Sequence, residues 1–355
     1  MQREFQTQDH SAALIEQVRE AVATKAPLFI RGGASKPFPG RRVDANSIDT
    51  RAHRGIVNYD PTELVVTVRA GTPVAELDEV LDAAGQMLPC EPAAFDGAAT
   101  IGGVVATGLA GPRRPWAGSV RDFVLGCRVI TGEGRHLRFG GEVMKNVAGY
   151  DVSRLMTGSY GCLGLLTEVS LKVLPKARAM CHVEIDMPAA DALVVLSTWR
   201  REGLPISGAC HDGATLHLRF EGGEDSVRTA YARVGGTRVD GMFWRALREQ
   251  RLPFFDDPRP LWRLSVPPAA PLSTLPGACL LDWGGAQRWL KSDAPAPVVR
   301  AFAQQLGGHA TALSAIAVDE PFHPLPPALL RYHRALKQQL DPHAIFNPGR
   351  LYADF

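Results

Sequence analysis

The six cysteines of this 355-residue chain are nowhere paired in a C-x-x-C arrangement. They occur singly among apolar residues, as small core residues do, which disfavours a zinc ribbon or an iron–sulfur cluster held by this chain alone. The chain also lacks an apolar run long enough to span a bilayer. Its longest run of weakly polar residues, 98–111, is 14 residues long and rich in Gly, Ala and Thr. The polar opening MQREFQTQDHS lacks the apolar segment of a signal peptide. These absences predict a reduced, cytosolic protein.

Basic charge is neither in excess nor clustered. The chain has 39 Lys and Arg against 37 Asp and Glu, a formal net charge of +2, and no dense basic block. Proteins that bind nucleic acid need such a block, so this class of function is disfavoured. With 45% hydrophobic and 21% charged residues the composition is that of a globular protein, and the length predicts about two domains.

Short strands and helices alternate in the first half of the chain. A helix is predicted after Ser11, and a second one is predicted to begin at Thr72-Pro73, with Thr72 as its cap, and to stop at Gly85. Strands are predicted at 27–30, 64–68, 122–130, 135–139 and 163–174.

The pattern changes near residue 178. From 181 to about 313, strands and helices follow one another as in a helix-backed antiparallel layer of the split βαβ kind. A last helix is predicted at about 327–340. The sequence therefore predicts an α+β protein with a domain at 1–178, a smaller domain at 179–315, and a C-terminal helix and tail at 316–355.

Two glycine-rich stretches are the strongest functional signals. Residues 31–37, RGGASKP, follow a strand, and their free N–H groups could form a concave nest for an anion. The spacing matches neither a Walker A loop nor the Rossmann fingerprint, and a plain tight turn stays open as the alternative.

The second stretch, residues 97–108 (GAATIGGVVATG), carries a Thr cap before a Gly-Gly first turn. This arrangement predicts a helix whose N-terminus attracts an anion, and a helix that packs through small residues is the alternative. Two such loops together could satisfy the diphosphate of a dinucleotide such as FAD, since each charge-assisted hydrogen bond contributes roughly 1.5–3 kcal/mol.

Five segments in order carry a resemblance to a known family. They are RGGASKP, residues 65–89, ATIGGVVATGLAG, residues 118–134 and residues 141–175, and the tail LDPHAIFNPGRLY follows them. The chain resembles the PCMH-type FAD-binding family that includes vanillyl-alcohol oxidase, D-lactate dehydrogenase and glycolate oxidase, and is most similar to the FAD-binding subunits of bacterial glycolate oxidase. The resemblance implies an FAD-binding domain of two α/β lobes, a shortened ferredoxin-like cap domain, and a tail that returns to the FAD domain.

The resemblance also implies which residues contact the cofactor. The first loop would hold the pyrophosphate, and residues 100–103 would lie near the pyrophosphate and ribityl chain. Residues 106–108 would approach the flavin with residues 118–119 beside them, and residues 164–166 would contact FAD through their backbone. FAD would be non-covalent, because the first loop has no His or Cys for attachment. The implied residues are Arg31, Gly32, Gly33, Ala34, Ser35, Lys36, Pro37, Thr100, Ile101, Gly102, Gly103, Ala106, Thr107, Gly108, Gly118, Ser119, Gly164, Leu165 and Leu166.

The sequence departs from the family where catalytic relatives bind a 2-hydroxy acid. Relatives carry a His-x-Gly-Asp-Gly-Asn-x-His run in the cap and a Gly-Glu-His-Gly run before the last helix, whereas residues 280–290 and 318–330 here lack clustered His and carboxylates. No catalytic residue and no metal site are therefore predicted. His323 and His333 are interpreted as surface or capping residues, His211-Asp212-Gly213 as a turn, and Arg113-Arg114 as an exposed, solvated pair.

The resemblance implies an FAD-binding subunit of a glycolate oxidase complex that supports oxidation of glycolate to glyoxylate. Its partners would be a larger paralogous FAD subunit and an iron–sulfur subunit, and the chain would reach the membrane only through the complex. Two alternatives stay open: a stand-alone FAD-dependent 2-hydroxy acid dehydrogenase, and a flavin-free scaffold subunit with the same fold.

Overall fold

The computed structural model describes residues 7–36, 38–142, 150–273, 277–314 and 318–355. Pro37 of the first loop and residues 143–149 of the motif at 141–175 lie outside the described residues. The chain divides into two compact units: the first contains residues 1–110, 118–175 and 324–355, and the second contains residues 111–117 and 176–323. The tail thus belongs to the same unit as the N-terminal half.

Strands and helices alternate along both units. The strands are β1 Thr7–Gln8, β2 Leu28–Arg31, β3 Asn46–Asp49, β4 Arg54–Asp60, β5 Val65–Arg69, β6 Gln86–Met87, β7 Val124–Ile130, β8 His136–Gly140, β9 Leu165–Lys172, β10 Leu174–Pro175, β11 Ala179–Asp186, β12 Ile206–His211, β13 Thr215–Gly222, β14 Thr237–Val239, β15 Leu261–Ser265, β16 Ala278–Asp282, β17 Gln287–Lys291 and β18 His309–Ala312. The helices are α1 Ser11–Thr24, α2 Val74–Ala83, α3 Ile101–Thr107, α4 Arg114–Ala117, α5 Val120–Phe123, α6 Val152–Leu155, α7 Ala189–Arg201, α8 Glu224–Val234, α9 Met242–Arg248, α10 Pro253–Asp256, α11 Ala296–Gln305 and α12 Pro327–Leu340. None of these helices is both long and apolar enough to cross a bilayer.

The first unit is built on an antiparallel sheet with the order β1-β4-β5-β9-β7-β8. A separate parallel pair, β2 and β3, packs with helix α1, whose buried Leu14, Val18 and Ala21 recur at helical spacing. Phe346 of the tail pairs with Leu28 beside this strand pair. The N-terminal strands and the C-terminal tail therefore share one core.

Helix α2 begins as predicted in position but not in its cap. Pro73 occupies the N-cap position, and no side chain caps the helix. The Thr72 hydroxyl instead donates to the carbonyl of Gly55 and accepts from the Gly55 N–H at 2.9 Å. The predicted Thr cap was wrong because a residue from a neighbouring strand satisfies this hydroxyl.

The second unit contains an antiparallel sheet with the order β14-β11-β13-β12-β16-β17-β15-β18. Helices α7 and α8 pack on strands β11 to β13, and α11 packs on β15, β17 and β18, which forms two apolar clusters. The predicted helix-backed antiparallel layer is present, but the described sheet has twice the four strands of one split βαβ unit. A ferredoxin-like description of this unit is not confirmed.

The predicted exposed pair Arg113-Arg114 is half wrong. The segment 111–117 belongs to the second unit, where Arg113 is buried and forms a two-pronged ion pair with Glu221. Arg114 is exposed, and its guanidinium lies 4.5 Å from the ring centroid of Trp283. The sequence around Arg113 gives no sign of this ion pair, because the Glu221 carboxylate lies 108 residues away along the chain.

The tail is held to the first unit by a buried ion pair. The amine of Lys337 on α12 donates to the Asp341 carboxylate at 2.6 Å and to the carbonyls of Cys162 and Phe346, each at 2.8 Å. The Asp341 carboxylate also accepts the N–H groups of Ile345 and Phe346. This network sets the direction in which the chain leaves α12 and approaches strand β2.

Candidate cofactor site

A cavity of about 390 Å³ opens in the first unit, a volume within the range of cofactor pockets. The predicted loop at 31–36 and the predicted helix α3 line it together. Their backbones touch directly: a side chain on Gly33 would begin 1.5 Å from the Ala98 carbonyl oxygen, and one on Gly32 would begin 2.7 Å from the Thr100 hydroxyl. The two glycine-rich stretches therefore converge, and the backbone contact at Gly33 requires glycine.

The first loop presents main-chain donors to this cavity. Among the described residues, no acceptor takes the N–H groups of Gly32, Gly33 or Ala34. Ala34 has a left-handed backbone (φ 51°), an arrangement in which successive N–H groups turn toward one side. The geometry suits an anion, as the glycine pattern of this loop predicts.

Helix α3 differs from the prediction in how its first turn is used. Thr100 is the N-cap as predicted, and its hydroxyl accepts the Gly103 N–H at 3.3 Å. However, the N–H of Ile101 donates to the Thr72 carbonyl at 2.9 Å and that of Gly102 to the Ala70 carbonyl at 2.8 Å. The donors of this turn are already satisfied within the protein, so α3 contributes close approach and dipole rather than free N–H groups.

The charge of the cavity lining is positive. Three cationic side chains, Arg31, Lys36 and Arg350, line the cavity, and no Asp or Glu is among its described lining residues. The Lys36 amine lies 5.3 Å from the ring centroid of Phe95. Arg350 donates to the carbonyls of Arg41 and Pro39, and burial lowers its pKa from the usual value without removing its charge.

A second, smaller cavity of about 80 Å³ adjoins the first, because the two share lining residues such as Gly32, Gly103 and Ala106. Gly102, Gly164 and Leu166 are the other predicted residues in its lining. Most of the predicted positions that the structure describes thus line one continuous region of the first unit.

Five predicted residues do not line either cavity. The Ile101 and Leu165 side chains are fully buried in the core. The Ser119 hydroxyl and N–H both donate to the Asp122 carboxylate in a helix-capping arrangement at the start of α5, next to Gly118. Gly108 ends α3 with a left-handed backbone (φ 64°). Contact of these five residues with FAD stays a prediction.

Sequence reasoning missed Asn347, Tyr160 and Arg350, which line the first cavity. The Asn347 side chain accepts the Ile30 N–H at 2.8 Å and donates to the Tyr160 carbonyl at 2.6 Å. The Tyr160 N–H in turn donates to Ala106 of α3 at 2.8 Å. Asn347 and Arg350 belong to the NPGR motif of the tail, and this motif was the sequence signal that could have identified them.

The other titratable candidates lie elsewhere. His211-Asp212-Gly213 connects β12 to β13, and the Asp212 carboxylate accepts the N–H groups of Ala214 and Thr215, so the predicted turn is confirmed. His323 lies near Gln304 in the second unit, and His333 packs near Tyr352 and Phe355. Across the part of the chain that the structure describes, no three His, Cys, Asp or Glu residues are grouped to hold a metal.

The residues around the cavity fit the diphosphate of FAD. Three free main-chain N–H groups, side-chain cations and the absence of carboxylates from the described lining are the features that two phosphate charges require. The glycines at the contacts let the two stretches approach closely enough to line one cavity.

Comparisons with known proteins give the same result. Residues 7–140 match the model of the FAD binding domain. The chain is 58% identical over 346 residues to glycolate oxidase subunit GlcE of Escherichia coli (strain K12), which covers 98% of each chain. It is 36% identical over 121 residues to glycolate oxidase subunit GlcD of Bacillus subtilis (strain 168), which covers 34% of this chain and 26% of that one.

Among solved structures, alkyldihydroxyacetonephosphate synthase superposes with a TM-score of 0.70, covering 96% of this chain and 75% of that chain. At 16% identity this similarity shows the fold alone. The fold, the matched FAD binding domain and the full-length relative agree, and the chain belongs to the family of PCMH-type FAD-binding proteins, in the group of glycolate oxidase GlcE subunits.

Proposed function

We propose that this chain is an FAD-binding subunit of a glycolate oxidase complex and supports oxidation of glycolate to glyoxylate. The observation that carries the proposal is the convergence of the loop at 31–36 and helix α3 on one positively charged cavity. The identity to a glycolate oxidase subunit along nearly the whole chain supports the choice of reaction.

In this proposal the FAD-binding domain is the first unit, which contains residues 1–110 and 118–175 with the returning tail at 324–355, instead of the continuous stretch 1–178 that the sequence predicts. The N–H groups of Gly32, Gly33 and Ala34 bind the diphosphate, and Lys36 neutralises part of its charge. Thr100 and Gly103 leave room beside them, while Asn347 positions Tyr160 against strand β2. Bound FAD supplies reversible uptake and release of electrons.

A partner is required for the chemistry. We propose that a larger paralogous flavin subunit oxidises glycolate, and that an iron–sulfur subunit passes the electrons on. The cysteines of this chain support that division of labour. Five of the six are buried, and burial raises the thiol pKa of Cys90, Cys127 and Cys279 to about 12. The chain would be cytoplasmic and associate with the membrane through the complex.

Purification of the tagged chain from its own cells tests the proposal. Heat-released cofactor is identified by chromatography, companion subunits by mass spectrometry, and activity by reduction of an artificial acceptor. We expect FAD equimolar with the chain, companion flavin and iron–sulfur subunits, glycolate turnover by the complex, and none by the chain alone.

The same experiment distinguishes the two alternative functions. Reduction of bound flavin by glycolate or D-lactate in the isolated chain would identify a stand-alone dehydrogenase. Intact complex without FAD on this chain would identify a flavin-free scaffold subunit.

A further inference from the structure

The second unit carries a groove that the cofactor site does not use. We call it the α7 groove; it has a volume of about 550 Å³ and lies between helix α7 and the segment 268–272. Its described lining includes Val194, Arg200 and Arg201 on α7 and Ala270, Pro271 and Leu272 on the facing segment.

The α7 groove exposes apolar surface. Val194 is 67% exposed, the largest value of any apolar aliphatic residue among the described exposed hydrophobics, and Leu272 on the opposite wall is 39% exposed. Prolines and alanines make up most of that wall. An apolar centre beside charged residues is the composition of a protein-binding surface.

Positive charge without a counter-ion lies at one end of the groove. Arg200 and Arg201 end helix α7, and neither forms an ion pair with any described residue. The Arg201 guanidinium donates to the Thr198 hydroxyl, and that of Arg200 lies 5.9 Å from the ring centroid of Trp116. No Asp or Glu occurs in the described lining.

A third arginine stands behind the wall. Arg288 is fully buried, and its guanidinium donates to the carbonyls of Pro271 at 3.0 Å and Ala270 at 2.7 Å. These bonds hold the wall in place, and no described carboxylate neutralises the charge. The groove is therefore preformed, and the arginines give it a positive potential.

We propose that the α7 groove docks a segment of a partner subunit that presents an apolar side chain next to carboxylates. The apolar chain would cover Val194 and Leu272, and the carboxylates would pair with Arg200 and Arg201. A protein segment suits a concave groove with two arginines, whereas a membrane surface is bound by a protruding amphipathic face rich in Lys and Arg. This inference rests on the proposed function, since it requires a complex.

The test compares two exposed valines of the same unit. The tagged chain is co-expressed with its companion subunits, and their retention on the tag is measured for Val194→Asp and for Val298→Asp, whose valine is 51% exposed on α11. We expect Val194→Asp to lower retention by about tenfold or more, the scale of a central interface residue, and Val298→Asp to leave it unchanged. The FAD content stays the same in both, because α7 lies outside the first unit.

A charge-reversal pair gives a second measurement. We expect Arg200→Glu with Arg201→Glu to lower retention and remove its dependence on salt, while Arg228→Glu on α8 does neither. Retention of partners by Val194→Asp at the wild-type level would overturn the proposal. Loss of binding to phosphatidylglycerol vesicles in Val194→Asp, with partner retention intact, would overturn it in favour of a membrane site. If the wild-type chain contains FAD but retains no subunit, the proposed complex itself fails, and the groove assignment fails with it.

Discussion

Two neighbouring glycines of helix α3 have different physical roles. A side chain on Gly102 would begin 2.8 Å from the Ala70 side chain and 2.9 Å from its carbonyl oxygen, so this glycine permits close packing on the end of β5. A side chain on Gly103 would begin 3.2 Å from the Thr100 hydroxyl and 3.9 Å from the Lys36 amine, at the cavity. The first glycine serves the fold and the second serves the cavity.

The two roles predict different outcomes for the same substitution. We expect Gly103→Val to reduce bound FAD by at least about tenfold, since the isopropyl group enters the cavity, while the apoprotein keeps its fold. We expect Gly102→Val to lower the free energy of unfolding by about 1–3 kcal/mol through overpacking. Released flavin and urea unfolding are measured for each.

Gly223→Val is the matched control, because a side chain at Gly223 meets nothing within 4 Å and its φ of −73° is ordinary. Equal flavin content in Gly103→Val and Gly223→Val would contradict the assignment of the cavity to FAD.

At the scale of elements, the C-terminal tail is bound to strand β2 by a set of contacts that we call the tail clasp. The Lys337–Asp341 network leads the chain into Phe346, which pairs with Leu28, and then into Asn347, which bonds to Ile30. Asn347 has a left-handed backbone (φ 43°), which Asn tolerates better than most residues. The residues that shape the cavity from the C-terminal side are therefore held by a buried charge pair.

Removing the Lys337 amine should destabilise the tail clasp. We expect Lys337→Met to lower the free energy of unfolding by about 3–5 kcal/mol, because the buried Asp341 carboxylate loses its partner. Flavin content should fall as well. Lys25→Met, at an exposed lysine of the same unit, should change the free energy of unfolding by less than about 0.5 kcal/mol. Urea denaturation measures both, and equal stability of the two variants would rule out the clasp.

At the scale of the whole molecule, both units contain histidines that favour the neutral form. Burial lowers the pKa of His53 to about 4, and Arg69 adds to the effect. Burial also lowers the pKa of His136 and His333 in the first unit and of His309 and His323 in the second. An unfolded histidine binds a proton near pH 6.5, whereas these folded ones resist protonation.

Stability should therefore fall with pH in the mildly acidic range. Between pH 6.5 and about 4 the unfolded state binds more protons, so the free energy of unfolding decreases as pH decreases. His53 alone accounts for about 3 kcal/mol over this window, at ~1.4 kcal/mol per pH unit. The aspartates with lowered pKa, such as Asp9 at about 2, remain ionised there and lose their contribution only below pH 4.

Urea unfolding of wild type and His53→Gln at pH 7.5, 6 and 4.5 measures the slope. A variant with the wild-type slope would show that His53 is not the titrating group.

Local patterns in the sequence determined the elements and the two glycine-rich stretches. The spacing of Leu14, Val18 and Ala21 suffices for α1, and Thr100 before two glycines suffices for the cap and first turn of α3, because both depend on contacts within a few residues. The succession of strands and helices from 181 to about 313 was predicted from local patterns in the same way, and strands β13 and β15 lie within it.

Tertiary structure alone decided which polar groups are free. The N–H groups of Ile101 and Gly102 donate to carbonyls near β5, whereas no described acceptor takes the N–H groups of residues 32–34. Arg113 is buried against Glu221. The Asn347 side chain accepts the N–H of Ile30 on strand β2, 317 residues earlier in the chain, and lines the same cavity. Hydrogen-bond partners at such separations are set by how the elements pack, and no local pattern encodes them.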